Sequence, residues 1–267
     1  MRRLDAGPTV LSDPDGYCPW VPVELTLPLL ATIGVCAFLL GLSKAGLGGG
    51  LGPLITVLLS MFVPPARAVG LLLPLLIVGD LFAVWVHRRS WDRDIVLRLL
   101  PAAVLGIVAA SFLLGHLTER GLQIFLAVLS LAFVAYRLAE KQIRALRFRP
   151  GAALGAAAGF TSGVTSTVAH AGGPPVVMYL LARRTPPVTY VATTAVFFAV
   201  VNWLKVPGYV AAGLIDADIM VRLAPMAVFT VPGVMAGRLL VGRASRGLFE
   251  MIVLTLLVIG AVYLLLP

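Results

Sequence analysis

The chain has 267 residues, 60% of them hydrophobic and 12% charged, with a mean hydropathy of +0.99, whereas soluble domains carry about 25% charged residues. This composition excludes a water-soluble globular protein and leaves no stretch large enough for a soluble domain. A net charge of +9 would suggest nucleic acid for a soluble chain, but the basic residues here lie between apolar blocks and report membrane topology instead.

In chain order, residues 1–22 carry Asp5, Asp13 and Asp15 among prolines and glycines and lack the apolar core of a signal peptide, so they are expected to form a disordered tail. A first transmembrane unit, 23–139, contains apolar blocks at 23–42, 51–62, 68–86, 95–114 and 121–139. A basic linker, 140–150, separates it from a second unit, 151–267, with blocks at 151–166, 174–182, 188–206, 219–240 and 247–265. Every block is expected to be helical, because backbone polar groups in lipid are satisfied only within a helix or a closed barrel, and none of the blocks alternates as a barrel strand does. Most reach the roughly 20 residues that cross a bilayer. The second block of each unit is too short, and is expected to be either half of a re-entrant hairpin or one side of a broken span. Cys18 in the tail and Cys36 in an apolar block offer neither a disulfide nor a metal-ligand spacing.

The two units repeat each other. Pro64-Pro65 matches Pro186-Pro187, Asp80 matches Asn202, "DRDIVLRLLP" at 92–101 matches "DADIMVRLAP" at 216–225, and "RGL" at Arg120 recurs at Arg246. With the linker placed in the cytoplasm and an odd number of crossings per unit, cytoplasmic loops take 13 basic residues and outer loops five: Arg2, Arg3, Arg67, Arg120 and Lys205. An even number gives 11 against 7. The positive-inside rule therefore favours inverted halves, an arrangement characteristic of secondary transporters. The expected fold is an all-α polytopic bundle of two inverted repeats, with eight conventional spans among ten hydrophobic segments.

Each unit contains a glycine-rich break, "GLSKAGLGGGLGP" at 41–53 and "GFTSGVTSTVAHAGGPP" at 159–175. Matched breaks in two repeats point to a substrate site, where the N-terminus of each short helix turns its free N–H groups and positive dipole end toward an anion. Pro53, Pro174 and Pro175 suit first-turn positions. The competing reading is close helix packing by small residues. The expected substrate contacts are Lys44, Gly48, Gly49 and Gly50 in the first break; Thr161, Ser162, His170, Gly172 and Gly173 in the second; and Thr193, Thr194 and Asn202 in the helix after it. Lys44 is a charge inside an apolar segment and hence a functional residue by default, unless it snorkels to an interface. His170 either binds an anion or is a neutral ring bonded to carbonyls. The hydroxyls of Thr161, Ser162, Thr165, Ser166 and Thr167 serve substrate or the broken helix ends. Asp80 is the proton-coupling candidate, with a structural hydrogen bond as the alternative. Lys205 reads as an interfacial anchor near the outer end.

No nucleophile elbow, HExxH, Walker motif, dinucleotide fingerprint or cysteine cluster occurs, so no cofactor, metal or catalytic residue is expected, and the chain is expected not to be an enzyme. A membrane-embedded enzyme would need a convergent nucleophile, base or metal set. A membrane scaffold would need sizeable loops. The expected partners are a small anionic substrate and the lipid bilayer, not nucleic acid, with a homodimer left open.

Four stretches, "GLSKAGLGGGLGPL", "LLPLLIVGDLFAVWVHRRSWD", "AHAGGPPVVMYLL" and "VATTAVFFAVVNWLKVPGY", resemble the sulfite exporter TauE/SafE family, from about residue 23 to the C-terminus. The resemblance implies a bacterial inner-membrane permease of eight helices that moves sulfite, sulfonates or related anions. Where some members carry an Ala-Thr-Asn-type stretch, this chain reads Gly70-Leu71-Leu72.

Overall fold

The computed structural model describes residues 26–46, 51–87, 90–114, 116–145, 150–240 and 246–266. The expected tail, Gly48, Gly49, Gly50 and the loop residues Arg88, Arg89, Arg147, Arg149 and Arg243 lie outside them. The described residues are helical throughout: α1 Leu27–Gly46, α2 Gly52–Ser60, α3 Pro65–His87, α4 Arg93–Leu114, α5 Glu119–Ala145, α6 Ala152–Ala169, α7 Gly173–Ala182, α8 Pro187–Ala211, α9 Ala217–Leu223, α10 Thr230–Leu240 and α11 Arg246–Leu265. Among them, six segments are long and apolar enough to cross a membrane. α6, which Thr, Ser and Gly make less apolar, is not among these six, and α7 and the 253–265 part of α11 are shorter apolar helices, so six of the expected eight spans are seen among the described residues.

Local sequence explains the boundaries. Prolines open α3 and α8, where their missing N–H and fixed φ are harmless. Asp92 and Asp216, matched in the repeat, each accept a backbone N–H three residues on, at 3.0 Å from Ile95 and 2.7 Å from Ile219, and so start equivalent helices. One expected block differs. Residues 219–240 do not form one helix: α9 passes into a 3-10 stretch, Ala224–Phe229, before α10 begins. Pro225 falls at the start of that stretch, but its repeat match Pro101 lies inside the continuous helix α4, so proline alone does not account for the interruption. α5 also runs past 139 to Ala145, carrying helix into the basic linker.

The halves are inverted. α3 and α8 cross antiparallel, with Gly70 against the Leu214 carbonyl near one end and Asp80 bonded to Asn202 toward the other. α5 and α11 are likewise antiparallel: Arg120 at the start of α5 donates to the carbonyls of Leu264, Leu265 and Leu266, which end α11. Those carbonyls have no partner within the helix, and a guanidinium suits the negative dipole end.

The halves are also interleaved. α1 of the first lies parallel to α10 of the second, and α4 of the first lies parallel to α6 of the second, with backbones in direct contact. A Cβ at Gly41 would strike the Thr230 carbonyl, and one at Gly163 would strike the Ala103 carbonyl. A Gly163→Val substitution has no side chain to displace, only the α4 backbone. We expect it to cost about 3 kcal/mol, the upper end for overpacking, as a lowered unfolding midpoint in detergent. Unchanged stability would mean that α4 and α6 do not touch there.

Candidate functional site

The two short helices fold back on the long helices before them. Lys44 near the end of α1 reaches Asp80 late in α3, so α1 and α3 run the same way and α2 returns between them. Tyr179 late in α7 packs on Gly155 early in α6, while Gly172 packs on Ser162 and Ser166, so α7 returns along α6. Both short segments are therefore returning arms of hairpins, not halves of straight spans.

The hairpin tips meet. Gly52 at the start of α2 sits so close to the His170 carbonyl that no Cβ fits, and the Thr56 hydroxyl donates to the carbonyls of Gly52 and Ala169, both at 3.0 Å. Side-chain hydroxyls close each break. Ser43 accepts the Leu51 N–H at 3.1 Å, and Ser162 donates to the Gly172 carbonyl at 2.8 Å. His170 ends α6 in the left-handed region, φ 53°, with its N–H on the Ser166 carbonyl.

Against these tips lies a buried polar cluster. Asp80, 2% exposed, accepts from Lys44 on one carboxylate oxygen and from Asn202 Nδ2 at 2.5 Å on the other. Lys205 lies one turn beyond Asn202 on α8 and is 0% exposed. Its Nζ is 3.1 Å from the Ser166 carbonyl, 3.2 Å from Ser166 Oγ and 3.2 Å from His170 Nδ1. His170 Nε2 is 2.9 Å from the Val69 carbonyl. A carbonyl only accepts, so Nε2 carries the ring proton and Nδ1 accepts from Lys205. Tyr209 donates to the Thr167 carbonyl at 2.5 Å, and its ring centroid lies 5.9 Å from Lys205 Nζ, within cation–π range.

Between the tips and the cluster is a cavity of about 60 Å³, with polar lining from Ser43, Lys44, Asp80, Ser166, His170 and Asn202. A water needs about 10–15 Å³ by this measure, so the space holds a few waters or one small anion. Gly52 and Gly173 bring the N-termini of α2 and α7 to its wall. Pro53, Pro174 and Pro175 do occupy first-turn positions, which leaves fewer N–H groups there than a helix start ordinarily offers.

Of the expected contacts, Lys44, His170, Gly173, Thr194 and Asn202 line this cavity, as does Asp80. Lys44 is paired with Asp80, and the Thr194 hydroxyl donates back to Tyr190 and Val191 at 2.9 Å each. Ser162 and Gly172 bond to each other behind the wall. Two expected contacts lie away from this cavity. Thr193 accepts the Asp92 N–H at 2.9 Å and so braces the start of α4. Thr161 is exposed and lines a separate, apolar cavity of about 760 Å³ between α5, α6 and α7. Lys205 is not an interfacial anchor, because α8 continues beyond it to Ala211 and α6 covers it. It drops out of the outer charge count and joins the cluster. Ser43 and Lys205 are the residues that sequence reasoning left out of the site, and Ser166, weighed there only as one of several hydroxyls near the second break, lines the cavity. The signal for Lys205 was its place one turn from Asn202 on the same helix face.

The chain belongs to the sulfite exporter TauE/SafE family, whose model matches residues 33–264. No curated protein and no solved structure matches it. The span matched to TauE/SafE contains both glycine-rich breaks and every member of the cluster, and membership makes the chain a multi-pass membrane transport protein.

Breaking one partner of a buried ion pair costs about 3–5 kcal/mol, because the other charge is left uncompensated. Asp80→Asn should therefore destabilise the protein by roughly that amount in detergent unfolding, and adding Lys44→Met should restore most of the loss. Two single substitutions whose effects simply add would show that the pair is not coupled.

Proposed function

We propose that this protein is a permease for a small anion, of the sulfite, sulfonate or related organosulfur class, working by alternating access in a bacterial inner membrane. The observation that carries this reading is the cavity at the meeting point of two broken hairpins, lined by Lys44 and Asp80, with Lys205 behind its Ser166 and His170 wall. A buried ammonium without a carboxylate of its own is costly unless an anion accompanies it, and two helix N-termini add positive potential on the same side of the balance. The family name supports sulfite chemistry as the cargo class.

The interleaved fold supports a particular form of alternating access. Backbone contacts join α1 to α10 and α4 to α6, so the bodies that rock are a unit of α1, α2 and α10 and a unit of α4, α6 and α7. They are not the two sequence repeats. One hairpin rides on each unit, and their relative motion opens the Gly52 to His170 contact. α3 and α8, crossing at Asp80 and Asn202, form the pivot.

Reconstituted vesicles test the reading. Labelled sulfite or methanesulfonate should enter vesicles containing the protein faster than protein-free vesicles. A bond to a charged group contributes about 1.5–3 kcal/mol, so Lys44→Met should reduce uptake about tenfold or more in protein that remains folded, and Lys205→Met, which removes a positive charge behind the cavity wall, should reduce it as well. Uptake equal to protein-free vesicles, or indifferent to both lysines, contradicts it.

A further inference from the structure

The charges around the cavity do not cancel. Among the described residues that line it or bond to a lining group, α1 supplies Lys44, α8 supplies Lys205 and α3 supplies the one carboxylate, Asp80. The arms α2 and α7 bring Gly52 and Gly173, and residues 45–51, which join α1 to α2, include no charged residue. His170 at the end of α6 is neutral in the tautomer its two bonds require. Tyr209 of α8 is a phenol donating to a carbonyl. The three acceptors around Lys205 Nζ match the three N–H bonds of an ammonium.

We propose that the cavity selects its cargo by charge: it holds one net positive charge, so it takes a singly charged sulfur oxyanion, such as a sulfonate or hydrogen sulfite, and takes a doubly charged one only together with a proton. The proposal rests on the permease reading for the identity of the cavity as the cargo site. One negative charge brings the buried sum to zero. A second would leave an uncompensated charge away from water, which the interior tolerates poorly. The accompanying proton belongs on Asp80. Protonating that carboxylate releases Lys44 to the second charge of the cargo, whereas His170 has no room for a proton, since Nε2 already carries one and Nδ1 faces the N–H of Lys205.

Calorimetric titration of the purified full chain decides this, with methanesulfonate as the singly charged probe and sulfate as the doubly charged one, in buffers of different ionisation heat. Methanesulfonate should bind with no proton uptake. Sulfate should bind at least about tenfold more weakly above neutral pH, take up one proton, and gain about tenfold in affinity per pH unit as the pH falls. In Asp80→Asn the net charge becomes two, so sulfate should bind more tightly than methanesulfonate and lose its pH dependence. If that variant does not fold, the proton count on the wild-type protein decides alone. Equal binding of both anions without proton uptake overturns the charge rule while leaving the permease reading intact. Failure of a folded protein to bind either anion overturns both.

Discussion

A carboxylate as deeply buried as Asp80 has to be neutralised where it stands, because no bulk water is available to solvate it. It takes the Lys44 ammonium from α1 and the Asn202 amide from α8, and so ties three helices from both halves to one point. Much of the central geometry follows from that bond set. Lys44 can reach Asp80 only if α1 runs deep into the protein alongside α3, which obliges α2 to return as the second arm of a hairpin. Asn202 can reach it only if α3 and α8 cross antiparallel, and that crossing joins the two halves.

The same repeat position is used in two different ways. Asp80 and Asn202 are equivalent by sequence, and the inversion brings them face to face, an acceptor meeting a donor. Two aspartates there would repel and two asparagines would leave Lys44 unpaired. The departure from symmetry between the halves is thus what allows their junction to close. A second asymmetry follows. The lysine of the first half sits on its broken hairpin, while the lysine of the second half sits on the crossing helix, behind Ser166 and His170. Lys44 thus lines the cavity directly, whereas Lys205 lies behind the side chains of Ser166 and His170.

Membrane class, repeat, inversion and the two breaks were legible in the sequence because each rests on a periodic or compositional signal: apolar block length, recurring Pro-Pro and Asp-x-Asp-Ile motifs, loop charge and clustered glycine. The depth of single side chains was not. Lys205 lies at the edge of an apolar block, and composition alone cannot distinguish a lysine that ends a span from one that α6 covers. Thr193 and Thr194 are adjacent in sequence but about 100° apart around a helix, so one braces α4 and the other lines the cavity. Hydroxyls near a break are similarly ambiguous: of the five weighed, Ser162 closes the second break, Thr161 lines a different cavity, and Ser166 holds Lys205. The interruption between α9 and α10 was not legible, because Pro225 there and Pro101 inside the unbroken α4 hold the same place in the repeat.

The central claim is that cargo sits between the two hairpin tips, within reach of Lys44, His170 and Asn202. Selenium oxyanions resemble their sulfur counterparts and scatter anomalously, so an anomalous difference map from crystals grown with selenite locates the site directly. The account predicts one strong peak in the central cavity, touching the Lys44 to Asp80 cluster. A peak in the apolar cavity between α5, α6 and α7, or an empty central cavity at selenite concentrations that saturate transport, would contradict it.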